Sequence, residues 1–188
     1  MTNDAPPARW GVVAIALHWI AAAVIVGLVL IGWVMRNGGL GAAATFELFQ
    51  LHKSLGFFVL PLTAARLAAR LIGSAPNAPP SPCWERCLAV ATQSSLYGLT
   101  VLASLLGWIA VSASPLPIPI RIFGPFVAPN LTAPNPAVYA DATEAHTVAA
   151  WAIAGLVALH VCGAMKHHFF DRNETLTRIL PRVRGRSR

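Results

Sequence analysis

Four long apolar stretches, parted by shorter polar or proline-rich ones, set the pattern of this chain. The first runs from Gly11 to Val34 with no formal charge, and the second has a purely apolar middle between Leu55 and Ala65. The third carries no charge after Arg86, and the fourth, AHTVAAWAIAGLVALHVC from Ala145 to Cys162, carries none at all. A helix needs about 20 apolar residues to cross roughly 30 Å of hydrocarbon. The pattern therefore predicts membrane spans at about 11–34, 46–72, 88–112 and 143–166. It predicts an all-α membrane protein, a bundle of four transmembrane helices forming a single domain over residues 1–188. The first run far exceeds the 7–15 apolar residues of a signal peptide and continues without a convincing cleavage site, so it reads as a span.

The connections differ in kind. Arg36-Asn-Gly-Gly-Leu-Gly is short and flexible, and Gly73 to Pro82 combines Gly, Ser, Asn and four prolines into a turn. Residues 113–142 hold seven prolines and little periodicity, which predicts one long surface connection. Asp141-Ala-Thr-Glu144 then reads as a helix start, with an Asp cap and Glu three residues on. The tail from Lys166, KHHFFDRNETLTRILPRVRGRSR, is basic and reads as a segment that starts as an interfacial helix. Pro61 predicts a kink in the second span.

Composition agrees with a membrane chain. Of 188 residues 56% are hydrophobic and 11% charged, against roughly 25% charged in soluble domains. The net charge of +7 invites a nucleic-acid reading, but the excess lies at the tail and beside apolar runs, as membrane flanks require. No nucleic-acid partner is expected. Arg9, Arg66, Arg70, Arg86, Lys166 and the tail arginines 172, 178, 182, 184, 186 and 188 fall on one side of the predicted topology; Arg36, Lys53 and Arg121 fall on the other. Eleven against three predicts that both termini are cytoplasmic. Cys83, Cys87 and Cys162 form no disulfide framework or zinc motif.

The chemistry lies in the histidines. His146 and His160 stand fourteen residues apart in the fourth span, about 21 Å along a helix axis and within about 40° of one face. His18 lies inside the first span and His52 near the start of the second. By depth, His18 matches His160 near the cytoplasmic boundary, and His52 matches His146 near the other. Intramembrane histidines are functional hypotheses by default. Zinc wants about four ligands converging at one point, whereas two imidazoles across a gap suit the axial positions of haem iron. Spacing thus favours two bis-histidine haems over a metal or proton transporter using the same residues. Gly56, one turn after His52, offers a face where something flat can approach. Lys53, Arg66 and Arg70 read either as interfacial anchors or as anion-binding groups.

Those residues carry a resemblance. The His18-Trp19 pair, the LHKSLG stretch from Leu51 to Gly56 with Arg66 and Arg70 downstream, His146, and the ending LHVCGAMKHHFFDRNETLTRILPR resemble the bacterial cytochrome b561 family of four-helix dihaem membrane proteins. The resemblance covers nearly the whole chain, departing at the second and third connections. It implies an inner-membrane location, two b-type haems on His18, His52, His146 and His160, and electron transfer linked to the quinone pool, ubiquinone being substrate or bound quinone. One family member is a superoxide oxidase, which passes electrons from superoxide to ubiquinone.

In that reading Arg66, Arg70 and Lys53 are candidates to meet haem propionates, or Lys53 and Arg121 to attract a small anion such as superoxide on the periplasmic side. His167 and His168 follow the fourth span closely enough to bind quinone and exchange its protons; read otherwise, they anchor the helix among lipid headgroups. The alternative function is a cytochrome b subunit wiring a partner dehydrogenase or hydrogenase to the quinone pool.

Overall fold

The computed structural model of the chain describes residues 9–73, 76, 80–116 and 118–181. The arginines at 182, 184, 186 and 188, most of the N-terminal decapeptide and part of the 73–82 turn lie outside the described residues. Four helices dominate: α1 (Val12–Asn37), α2 (Ala42–Ile72), α3 (Cys83–Ala113) and α4 (Pro136–Phe169). All four are long and apolar enough to cross a membrane. In hydrocarbon every backbone N–H and C=O must be paired within the protein, and an unbroken helix does this within one segment. At about 1.5 Å per residue α4, with its 34 residues, reaches about 51 Å, well beyond a hydrocarbon layer. Its ends therefore stand in the headgroup zones.

The helices also run past the predicted spans, and α4 shows why. Its cap is Asn135, whose side chain accepts hydrogen bonds from the N–H groups of Ala137 and Val138 at 3.0 and 3.2 Å. Pro136 occupies the first turn, where a missing N–H costs nothing. Asp141 and Glu144, expected to start the helix, lie inside it.

Helices α1 and α2 pack as one pair, α3 and α4 as another, and α2 against α3 joins them; α1 and α4 touch only sparsely. The α3–α4 seam holds the core, with Ala103, Ala149 and Ile153 buried and Ile25, Leu96, Leu99, Leu106 and Val157 packed around them. Two alanines let the backbones approach, which is how helices associate where lipid removes the hydrophobic drive. Between α1 and α4, Ile25, Val26, Val29, Leu30, Ala154 and Val157 line a cavity of about 160 Å³. Leu30, Trp33, Val148, Trp151 and Val161 point outward, as lipid-facing residues do. Within α2, Pro61 has no N–H to give the Phe57 carbonyl.

The connection expected to lack structure holds a small hairpin. Strands β1 (Ile120–Ile122) and β2 (Phe126–Ala128) pair antiparallel, Ile120 opposite Ala128. Phe123 and Gly124 turn the chain at φ 45° and 87°, the second a conformation that glycine adopts without strain. The hairpin is seated on the bundle: Phe123 N–H donates to Ser54 Oγ at 3.0 Å, and Ile120 is 1% exposed. Nearby, Trp108 Nε1–H donates to the Pro129 carbonyl and Leu131 N–H to Ser112 Oγ. Asn135 N–H completes the tie by donating to the Ala113 carbonyl at the end of α3.

At the opposite end, where residues 9 and 181 lie, the chain after α4 forms turns in place of the expected interfacial helix. It folds back onto α1: Trp19 Nε1–H donates to the Ile179 carbonyl at 2.8 Å, and Arg9 to the Leu180 carbonyl. Trp19 thus fastens the tail.

Candidate functional site

Helix α4 carries His146 and His160, and each meets one histidine from another helix. His160 and His18 of α1 have ring centroids 6.3 Å apart, with planes at 59°. His146 and His52 of α2 stand 6.0 Å apart, with planes at 80°. Two imidazoles sharing one metal atom, with bonds of about 2 Å and about 1.1 Å more to each ring centre, have centroids about 6.2 Å apart. Both separations fit that arrangement. Glycines one turn from two of these histidines, Gly56 after His52 and Gly163 after His160, would meet nothing within 4 Å among the described residues if given a Cβ, so open space lies at those positions.

The surroundings tune each ring. His146 Nδ1 lies 2.8 Å from the Ala103 carbonyl, so Nδ1–H donates there and Nε2 keeps a free lone pair. Gly107 makes this geometry possible, since a Cβ there would come within 3.2 Å of His146 Nδ1. Helix α3 thus contributes a carbonyl and a gap. His52 Nδ1 is buried near Leu28 without a hydrogen bond of ordinary geometry, and Gly32 leaves its ring space from the α1 side.

Arg66 donates to His18 Nδ1 at 2.8 Å and lies over the Tyr97 ring at 5.2 Å. That bond places the His18 ring proton on Nε2, the reverse of His146. Coordination through Nε2 therefore requires Arg66 to turn from the ring toward another acceptor, and a carboxylate is its natural partner. Arg70 donates to Gln93 Oε1 at 2.6 Å, one turn further along α2.

Of the other expected site residues, Lys53 is 7% exposed, its Nζ 4.9 Å from the centre of the Phe49 ring. Arg121, on β1, is exposed. His168 meets Phe169 edge to face, whereas His167 points the other way, into a charged group. There Asp171 lies 2.7 Å from His167 Nδ1, and Glu85 of α3 lies 3.9 Å from Nε2. Lys166 Nζ reaches Glu85 at 2.7 Å and Asp171 at 3.0 Å. The Lys166 hydrogen bond, aided by His167, holds the Asp171 carboxyl below its usual range. Asp171 therefore stays charged through neutral pH, and its pairing is lost only as the pH falls through that lowered value. Glu85 gave no sign in the sequence, where it sits between two cysteines far from His167.

The model of prokaryotic cytochrome b561 matches residues 9–182. The chain is 31% identical over 175 residues to a protein named cytochrome b561 homolog 2 of Escherichia coli (strain K12), an alignment covering 93% of this chain and 92% of the relative. It is 29% identical over 181 residues to cytochrome b561 homolog 1 of the same organism, covering 93% and 98%.

Proposed function

Because the chain belongs to the prokaryotic cytochrome b561 family, and so is a multi-pass, b-type haem electron-transfer protein of the bacterial inner membrane, we propose that it carries electrons between the quinone pool and a periplasmic one-electron partner. Superoxide is the partner we favour, and ubiquinone the acceptor. The observation that carries this reading is the pair of histidine couples at two heights of one helix, 6.0 and 6.3 Å across. His18 and His160 would hold one haem b near the cytoplasmic side, and His52 and His146 would hold a second near the periplasmic side.

Bound there, haem would supply outer-sphere, one-electron transfer, each group being held by one histidine couple. The chain's own residues do the rest. The Ala103 carbonyl orients His146 and raises its basicity as a ligand. Arg66 and Arg70 offer positive charge to propionates at the cytoplasmic end of α2. The hairpin is seated on Ser54, two residues after His52. Arg121 gives that face an exposed cation with which to draw in a small anion. Lys53, the residue before Ser54, adds a buried positive charge to the same end of α2.

The test is direct. Purified protein should show a reduced b-type spectrum when given superoxide and should convert added ubiquinone to quinol. Haem reduction without quinol would remove the quinone claim, and stable co-purification with a dehydrogenase or hydrogenase would favour a subunit role. Orientation is tested separately: a reporter fused after Arg188 should read as cytoplasmic and one inserted at 123–125 as periplasmic, and the opposite result would invert every statement about sides.

A further inference from the structure

Glu85, in the first turn of α3, is a carboxylate in an unusual position. Its side chain is 9% exposed, one oxygen is held by Lys166 at 2.7 Å, and the other, Oε2, is buried with no hydrogen-bond partner among the described residues. That free oxygen faces His167 Nε2 at 3.9 Å, while His167 Nδ1 meets Asp171 Oδ2 at 2.7 Å. Side-chain exposure falls along this line, from 33% at Asp171 to 19% at His167 and 9% at Glu85. An imidazole between two carboxylates, one wet and one dry, is the arrangement through which a proton moves by exchange at its two nitrogens.

We propose that Asp171, His167 and Glu85 form a proton path from cytosolic water into the bundle, with Glu85 Oε2 as the inner donor to a reduced quinone. The inference rests on the quinone reading above and names how that site takes up its protons. His167 follows His160 by seven residues, about 10 Å along α4 and within about 20° of the same face. His167 thus lies about two turns to the cytosolic side of the histidine couple nearest the cytosol. Lys166 fixes both carboxylates from one side, and Asn173 Nδ2 approaches His167 Nδ1 at 3.3 Å. A divalent metal is the less favoured occupant, because the Lys166 ammonium already lies between the two acids and would have to be displaced.

The step balances as follows. Two superoxide ions lose one electron each to become dioxygen, and the quinone gains both electrons and two protons. For each proton the Glu85 O–H bond breaks and a quinol O–H forms. The Glu85 carboxylate then takes a proton from His167 Nε2, and water on the Asp171 side restores the imidazole. The 3.9 Å gap exceeds a hydrogen bond, and a ring rotation or one intervening water closes it.

The experiment uses the haem-loaded, full-length protein with superoxide and a short-chain ubiquinone. Glu85→Gln should keep its haem spectrum and its haem reduction by superoxide, yet form quinol about 10- to 100-fold more slowly, with a flattened pH profile and a changed solvent deuterium isotope effect. Glu85→Asp should recover part of the rate, and Asp171→Asn should slow it less while shifting the same profile. In the haem-loaded protein held reduced, the ¹⁵N chemical shifts of the His167 ring, which report where its proton sits, should change in Glu85→Gln, a readout independent of turnover. Wild-type rate, profile and isotope effect in Glu85→Gln, or loss of haem in that variant with Asp171→Asn unchanged from wild type in all three, would overturn the path. Haem reduction without quinol in the wild type would instead overturn the quinone reading, and this inference with it.

Discussion

Replacing His18 or His160 by Ala should each remove the same haem, about half of the b-type absorbance, and replacing His52 or His146 should each remove the other. The expectation follows from geometry. The rings of His18 and His160 are 6.3 Å apart and those of His52 and His146 are 6.0 Å apart, and one α4 residue serves each couple. An iron that loses one axial imidazole loses much of its hold, so the double replacement within a couple should look like either single one. Quantified haem and low-temperature difference spectra of the four single and two double variants decide the matter. Loss of the same haem from His18→Ala and His52→Ala, with the other retained, would break the pairing.

The second large effect is expected at the hairpin. Ile120 is 1% exposed on the α2 side of β1, and its replacement by Asp puts a carboxylate where no partner awaits it. Burying such a group costs about 3–5 kcal/mol or forces the segment away. The hairpin should therefore lift, releasing the Phe123 N–H from Ser54 and freeing the backbone after Arg121 for protease. Trypsin added to spheroplasts should cut at Arg121 far faster than in the wild type, and Ile120→Val should remain resistant. Equal cutting rates in Ile120→Asp and wild type would show that the hairpin is not held by this contact.

These features were not equally legible. The four histidines stand out because each interrupts or borders an apolar run where any polar side chain needs a reason, and helical rise alone matches them by depth. The start of α4 was obscured because Asn135-Pro136 reads equally as a turn and as a cap with proline in the first turn. Asp141 and Glu144 offered a more familiar signature a turn and a half later. The Ala103 carbonyl that orients His146 has no sequence signal, since every residue carries one and only packing decides which is used. Glu85 meets Lys166 across a separation of 81 residues, a contact set by how α3 docks on α4. The small hairpin was hidden by prolines, which pointed to irregular chain and not to the short paired segment between them.

Helix α4 also sets what kinds of change the chain can accept over time. Because it supplies a ring to both couples, the interval from His146 to His160 acts as a ruler whose unit is the residue. One residue inserted between them would lengthen the interval by about 1.5 Å but swing one ring about 100° away from its partner, and a deletion would do the same in the opposite sense. Seven would nearly restore the face but move the rings about 10 Å apart in height. Point substitutions along the lipid-facing side of α4 can accumulate freely, whereas insertions and deletions inside this interval cannot. Variation in length is therefore expected in the connections, and the fourteen-residue spacing should stay fixed while the residues between the two histidines change.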